Sequence, residues 1–146
     1  MRPSLGLPLI LALLALSTLT SATATPDRAK LAGRLSWSMR GEAFGGLSGL
    51  ELTGDGTAFT ALSDRGRLVT GRILREDGEI SGVADLRLTP LKNTKGGPLK
   101  KFHSDAEGLA IRSDGRLYIS FEGYHRVWTY RDGASEAAWL PRHPDF

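Results

Sequence analysis

The chain contains no cysteine, which excludes a disulfide scaffold, a zinc-thiolate centre, a thiol nucleophile and attachment through a lipidated cysteine. A dominant charge sign is also missing. The 19 Lys+Arg are balanced by 16 Asp+Glu, and a surface of mixed sign is not that of a nucleic-acid-binding protein. No apolar run is long enough to cross a bilayer. The one extended stretch, Leu5 to Leu16, falls short of the roughly 20 residues a spanning helix needs. With Arg2 before it and Ala22-Thr23-Ala24 after it, this stretch reads as a secretory signal over residues 1–24, cleaved after Ala24. Its removal takes away only Arg2 and lowers the formal charge from +3 to +2. The expectation is a periplasmic or secreted protein with no stable membrane anchor.

Helical periodicity is equally scarce. After a polar leader over 25–32, short runs of Val, Ile, Leu, Thr, Tyr and Phe alternate with turn dipeptides, the pattern of an all-β chain. Asp55-Gly56, Asp77-Gly78, Asp114-Gly115 and Asp132-Gly133 sit beside these runs, where glycine accommodates the positive φ of a tight hairpin. The spacing predicts strands over 47–53, 57–63, 67–75, 80–88, 106–112, 116–122 and 126–131. Pro90, Gly96, Gly97 and Pro98 mark 89–104 as a loop. Trp37, Trp128 and Trp139 are expected in the core or between blades.

An internal repeat organises this pattern. Residues 49–72 align without gaps on 108–131: Gly49-Leu50 falls on Gly108-Leu109, Asp55-Gly56 on Asp114-Gly115, and Arg67, Thr70 and Arg72 on Arg126, Thr129 and Arg131. Phe59 then falls on Tyr118 and Leu62 on Phe121. Four-stranded blades recur every ~40 to 50 residues, so this spacing fits one blade plus the 89–104 loop. The fold expected for 33–146 is a partial β-propeller of about two four-stranded antiparallel blades. Because closed propellers use roughly four to eight blades, the domain is read as truncated at its C-terminal side. A small β-sandwich or open barrel is the alternative.

Gly45-Gly46-Leu47-Ser48-Gly49-Leu50, Ala61-Leu62-Ser63-Asp64-Arg65-Gly66, Ser104-Asp105-Ala106-Glu107-Gly108-Leu109-Ala110, Ser120-Phe121-Glu122-Gly123 and Arg126-Val127-Trp128-Thr129-Tyr130 follow one another in an order that resembles the phytase-like domain family, described as having esterase-like activity. The resemblance covers roughly residues 33–140. It implies an exported bacterial β-propeller about twice this long, and a hydrolase of a phosphoester or related ester.

Positions shared by both repeats are explained by the blade, whereas positions that differ need another reason. Asp105 and Glu107 fall on Gly46 and Ser48, so the acidic pair belongs to the second copy alone. Residues two apart on a strand share a face, which aligns the pair with Leu109 and Ile111 on an expected buried face. Two carboxylates there need a cation, an arginine or a shared proton. Hard cations prefer oxygen ligands, so calcium held by Asp105, Glu107 and Glu122 is the expected cofactor. A turn-capping Asp105 with Glu107 paired to a neighbouring arginine is the plainer alternative.

Glu122 ends a predicted strand opposite Ser63 of the first copy, with Asp64 and Arg65 at the corresponding place in the first blade. Asp64, Arg65, Glu107 and Glu122 are the candidate catalytic residues. Arg65 would contact an anionic oxygen of a small anionic ester or phosphoester, and Asp64 would ligate metal or orient water; the plainer reading of Asp64-Arg65-Gly66 is a turn with an exposed arginine. Lys95, among Lys92, Lys100 and Lys101, and His103 beside the acidic pair are candidate substrate contacts, against a solvated basic loop and a structural histidine. Gly46-Leu47-Ser48-Gly49-Leu50 lacks the closing glycine of a nucleophile elbow, and His-Glu-x-x-His, EF-hand and dinucleotide fingerprints are all absent. The non-catalytic alternative is an exported binding module with structural calcium, and the third is an inactive truncated fragment.

Overall fold

A computed structural model describes residues 29–41 and 44–140; the signal segment 1–24 lies outside these. Residues from Leu31 onward form one unit. Among the described residues it is built almost wholly of strands: β1 (Leu47–Leu52), β2 (Ala58–Ser63), β3 (Arg67–Glu76), β4 (Glu79–Pro90), β5 (Ala106–Ile111), β6 (Leu117–Phe121), β7 (Arg126–Tyr130) and β8 (Ala137–Trp139), with one 3-10 turn at Lys101–His103. They make two four-stranded antiparallel sheets, β1-β2-β3-β4 and β5-β6-β7-β8. Seven strands coincide with sequence-predicted ones; β8 does not, being three residues with no β-branched side chain. No described helix is long and apolar enough to cross a membrane.

The turns follow their chemistry. Asp77 and Gly78 both take positive φ, 51° and 85°, between the paired residues Glu76 and Glu79, the geometry of a two-residue hairpin whose twist matches its strands. The 89–104 segment is less irregular than expected. β4 extends to Pro90, and Lys92 bridges Pro98 around Asn93, whose side chain accepts from the Lys95 and Gly97 amides.

The repeat is visible in space, with one correction. β1 maps onto β5 and β3 onto β7 at the sequence offset, but the central strand slips by one residue. Thr53 N–H bonds Ala58 O across a turn of Gly54–Thr57, whereas Arg112 N–H bonds Arg116 O across the shorter Ser113–Gly115. The residue saved there reappears after β6, because Ser63 pairs with Arg67 across 64–66 while Phe121 pairs with Arg126 across 122–125. Phe59, Ala61 and Ser63 therefore correspond to Leu117, Ile119 and Phe121, and all six are buried. Gapless alignment on Tyr118 fails because it ignores this exchange of one residue between two turns.

The two sheets stack front to back. The face of the first sheet carrying Phe59, Ala61 and Val69 is covered by Trp37 and Phe44. The equivalent face of the second, with Leu117, Ile119, Trp128 and Tyr130, packs on Leu62 and Leu68 from the other side of the first sheet. A sandwich buries two equivalent faces against each other; here each sheet presents the same face in the same sense, as propeller blades do. Trp37 and Trp128 take their expected packing roles, but Trp139 is 61% exposed.

Candidate functional site

Bulges at matching places open both first strands. The register shifts between Leu47 and Gly49 in β1 and between Ala106 and Gly108 in β5, which leaves Ser48 and Glu107 as the extra residues. A bulge breaks strict alternation and re-aims the side chain it carries. Ser48 Oγ donates to Ala106 O at 2.6 Å, tying the two bulges together. Glu107 is exposed while Ala106 is fully buried. The expected buried face shared by Glu107, Leu109 and Ile111 is thus corrected: the bulge turns Glu107 out toward solvent.

The ends of the two central strands are also equivalent. Asp64 N–H donates to Gly46 O at 2.8 Å, and Glu122 N–H donates to Asp105 O at 2.9 Å. Gly46 corresponds to Asp105, so Glu122 corresponds to Asp64 and not to Ser63. Each blade therefore offers a carboxylate at the same backbone position. Gly46 makes room for the first: its φ is 61°, and a Cβ there would fall inside the Asp64 carboxylate. In the second blade Asp105 replaces that glycine and Glu122 follows a different path, with Gly123 so close to the 3-10 turn that a Cβ would lie 2.9 Å from Phe102 O.

Asp105, Glu107 and Glu122 converge, with one oxygen of each lying within 4.8 Å of the others. Desolvation pushes the Glu107 carboxyl above its ordinary value, and the charges of Asp105, Glu122 and Asp64 push it further the same way. The donor set fits a hard divalent cation. Calcium–oxygen distances of about 2.3–2.6 Å put ligand oxygens up to roughly 5 Å apart, and three carboxylates supply the oxygen chemistry and charge such an ion prefers.

Beside this triad lies a cleft of ≈ 460 Å³ lined by Asp64, Arg65, Lys101, Phe102, Ser104, Asp105 and Gly123. Arg65 Nε is 3.9 Å from Asp64 Oδ1, with both side chains near half exposed, and its Nη1 donates to Phe44 O at 3.4 Å. Asp64, Arg65, Asp105, Glu107 and Glu122 are thus gathered at one end of the two sheets. Lys95 is not among them. Its loop packs by Asn93 O against the amide of Ala137, and the neighbouring Lys92 and Gly96 line a cavity with Arg116 and Arg131, at the end of β6 opposite Glu122. His103, at the end of the 3-10 turn, stacks its ring on Tyr124 at 5.2 Å. Sequence reasoning named Lys101 within the basic loop and Gly123 beside Glu122, and missed Phe102 at the cleft; an aromatic next to a lysine before an acidic segment was the available signal.

Front-to-back four-stranded sheets with carboxylates clustered at one end define a propeller-type β protein with an acidic rim. Within that class the chain belongs to the phytase-like family, whose model, described as esterase-like activity of phytase, matches residues 42–146. No curated protein and no solved structure gives a significant match.

Proposed function

We propose that this chain is part of an exported hydrolase that cleaves a phosphoester or related ester with the help of a divalent cation, calcium by preference, held by Asp105, Glu107 and Glu122. The observation that carries the reading is the convergence of those three carboxylates within 4.8 Å beside a cleft lined by Arg65 and Lys101. Family membership supports ester chemistry, and the apolar segment between Arg2 and Ala24 supports export to the periplasm or beyond.

A bound cation would supply Lewis-acid polarisation of the ester and acidify a nearby water. The chain's own groups do the rest. Arg65 presents fixed donors to the anionic group of the substrate, with Asp64 3.9 Å from its Nε limiting the guanidinium's range. Lys101 adds a second positive charge to the same cleft. Asp64 orients water, and the Glu107 carboxyl, pushed up by desolvation and then by its carboxylate neighbours, takes up a proton when the cation is absent.

Calorimetric titration of calcium into the protein tests the cation, and a screen of phosphomonoesters, phosphodiesters and carboxylate esters tests the reaction. Saturable binding lost in Glu107→Ala is expected, with Arg65→Ala lowering kcat/KM by about 10²-fold while leaving calcium affinity unchanged. No binding would remove the cation from the reading. Binding without turnover of any ester would leave a calcium-stabilised binding module instead.

A further inference from the structure

The carbonyl that precedes each acidic corner is clamped by an arginine, but by a different one in each blade. Phe44 and His103 are equivalent positions, each two residues before the corner residue, Gly46 or Asp105. In the first blade Phe44 O accepts from Arg65. The position equivalent to Arg65 in the second blade is Gly123, where the approach to Phe102 O leaves no space for a side chain. There Arg126 takes over: its Nη2 donates to His103 O and its Nη1 to Tyr124 O at 2.7 Å. One guanidinium thus joins the 3-10 turn leading to Asp105 and the 122–125 turn holding Glu122.

Arg126 is itself firmly placed. Its guanidinium lies 3.9 Å from the centre of the Phe121 ring and 4.1 Å from that of Trp128, a cation–π slot between residues of β6 and β7. Its Nε is buried with no hydrogen-bond partner among the described residues, so rings and carbonyls hold it, with no carboxylate involved. Arg67, its counterpart by repeat, sits at the same pairing position opposite the end of the central strand. The blade explains an arginine there; the bond to the 3-10 turn is particular to the second copy.

We propose that Arg126 is a positioning residue for the acidic site: by tying His103 O to Tyr124 O it sets the separation of Asp105 and Glu122, and thereby the affinity of the triad for a divalent cation. The cation arm of the test rests on the function proposed above; the positional arm does not.

The experiment compares wild type, Arg126→Ala, Arg126→Lys and Ile119→Ala, the last loosening the same sheet at a residue that gives Arg126 neither a ring nor a carbonyl. Calcium affinity is read by calorimetry and backbone order by amide hydrogen exchange at Glu122, whose N–H donates to Asp105 O. Arg126→Ala is expected to weaken calcium binding about 10-fold or more and to speed exchange at Glu122 about 10-fold relative to the β6 amides. Lysine keeps the charge but lacks the fork needed to reach two carbonyls, so Arg126→Lys behaves alike and decides the matter if the alanine variant does not fold. Ile119→Ala speeds exchange throughout the sheet and leaves affinity within about 2-fold. The proposal is overturned if Arg126 variants keep wild-type exchange at Glu122, or if Ile119→Ala reproduces both effects. If wild type itself binds no calcium, the cation reading falls, and the Glu122 amide alone decides whether Arg126 holds the corner.

Discussion

Glu107 registers the crowding of carboxylates at the acidic rim. Its carboxyl is raised above its ordinary value of 4.5 by desolvation and then by Asp105, Glu122 and Asp64. A carboxyl that binds its proton more tightly folded than unfolded costs stability once ionised. That cost is absent below the unfolded value and develops as pH rises through the folded one. Glu107→Gln should therefore melt above wild type at pH 7 without divalent cation, with the two curves converging below about pH 4.5. If the triad holds calcium as proposed, adding the ion should reverse the order, because the wild type gains more from it than a variant with one carboxylate fewer. Thermal melts at both pH values, with and without calcium, check this. A Glu107→Gln variant that melts below wild type at pH 7 in chelator would show that the repulsion is not there.

Strands and turns decide which carboxylates can meet. Two hairpin turns of unequal length slide β6 by one residue against its repeat partner, and that slide makes Glu122 the counterpart of Asp64. The bulge in β5 then turns Glu107 toward them. Backbone pairing with β5 and β7 sets that register, and Ile119, fully buried at the centre of β6 opposite Leu109 and Trp128, is the strand's central packing residue. Ile119→Ala should lower unfolding free energy by about 2–5 kcal/mol, measured by urea denaturation. A loss below about 1 kcal/mol would mean that the centre of β6 is not packed as described. The turns, all four strands of the first sheet and three of the second were legible from Asp-Gly dipeptides and alternating apolar runs. The slide was not, because both repeats have the same length and their loop lengths differ only once backbone pairing is known.

Across the whole molecule, the site exists because one sheet stacks on the next. The sheets approach closely at Gly49, where a Cβ would lie 3.0 Å from Leu109 Cβ and 3.3 Å from Leu62 Cβ. Gly49 thus sets the spacing between β1 and β5, and Ser48 beside it bonds Ala106 O across the same seam. Gly49→Ala should cost about 1–3 kcal/mol through overpacking and, by spreading the blades, move Asp64 away from the triad. The expected readout is reduced urea stability together with weaker calcium binding. Weaker binding without any stability loss would place the defect at the triad and not at the seam.

Composition, turn dipeptides and the repeat pointed to an all-β chain of blade-like units and singled out Asp105 and Glu107, with Glu122 at the end of the next strand; the resemblance to the phytase-like family added Asp64 and Arg65. Those signals are local, depending on φ preference, alternation and the contrast between two copies of one pattern. Tertiary structure alone decided that these five residues share one rim, that Lys95 lies apart from it, that the His103 ring stacks on Tyr124, and that Glu107 faces outward. Each of those outcomes depends on a register slip, a bulge or a sheet-to-sheet contact. Such features are set by pairing between residues far apart in the chain: a one-residue change in that pairing exchanges the two faces of a strand, and its partner strand decides which face is buried.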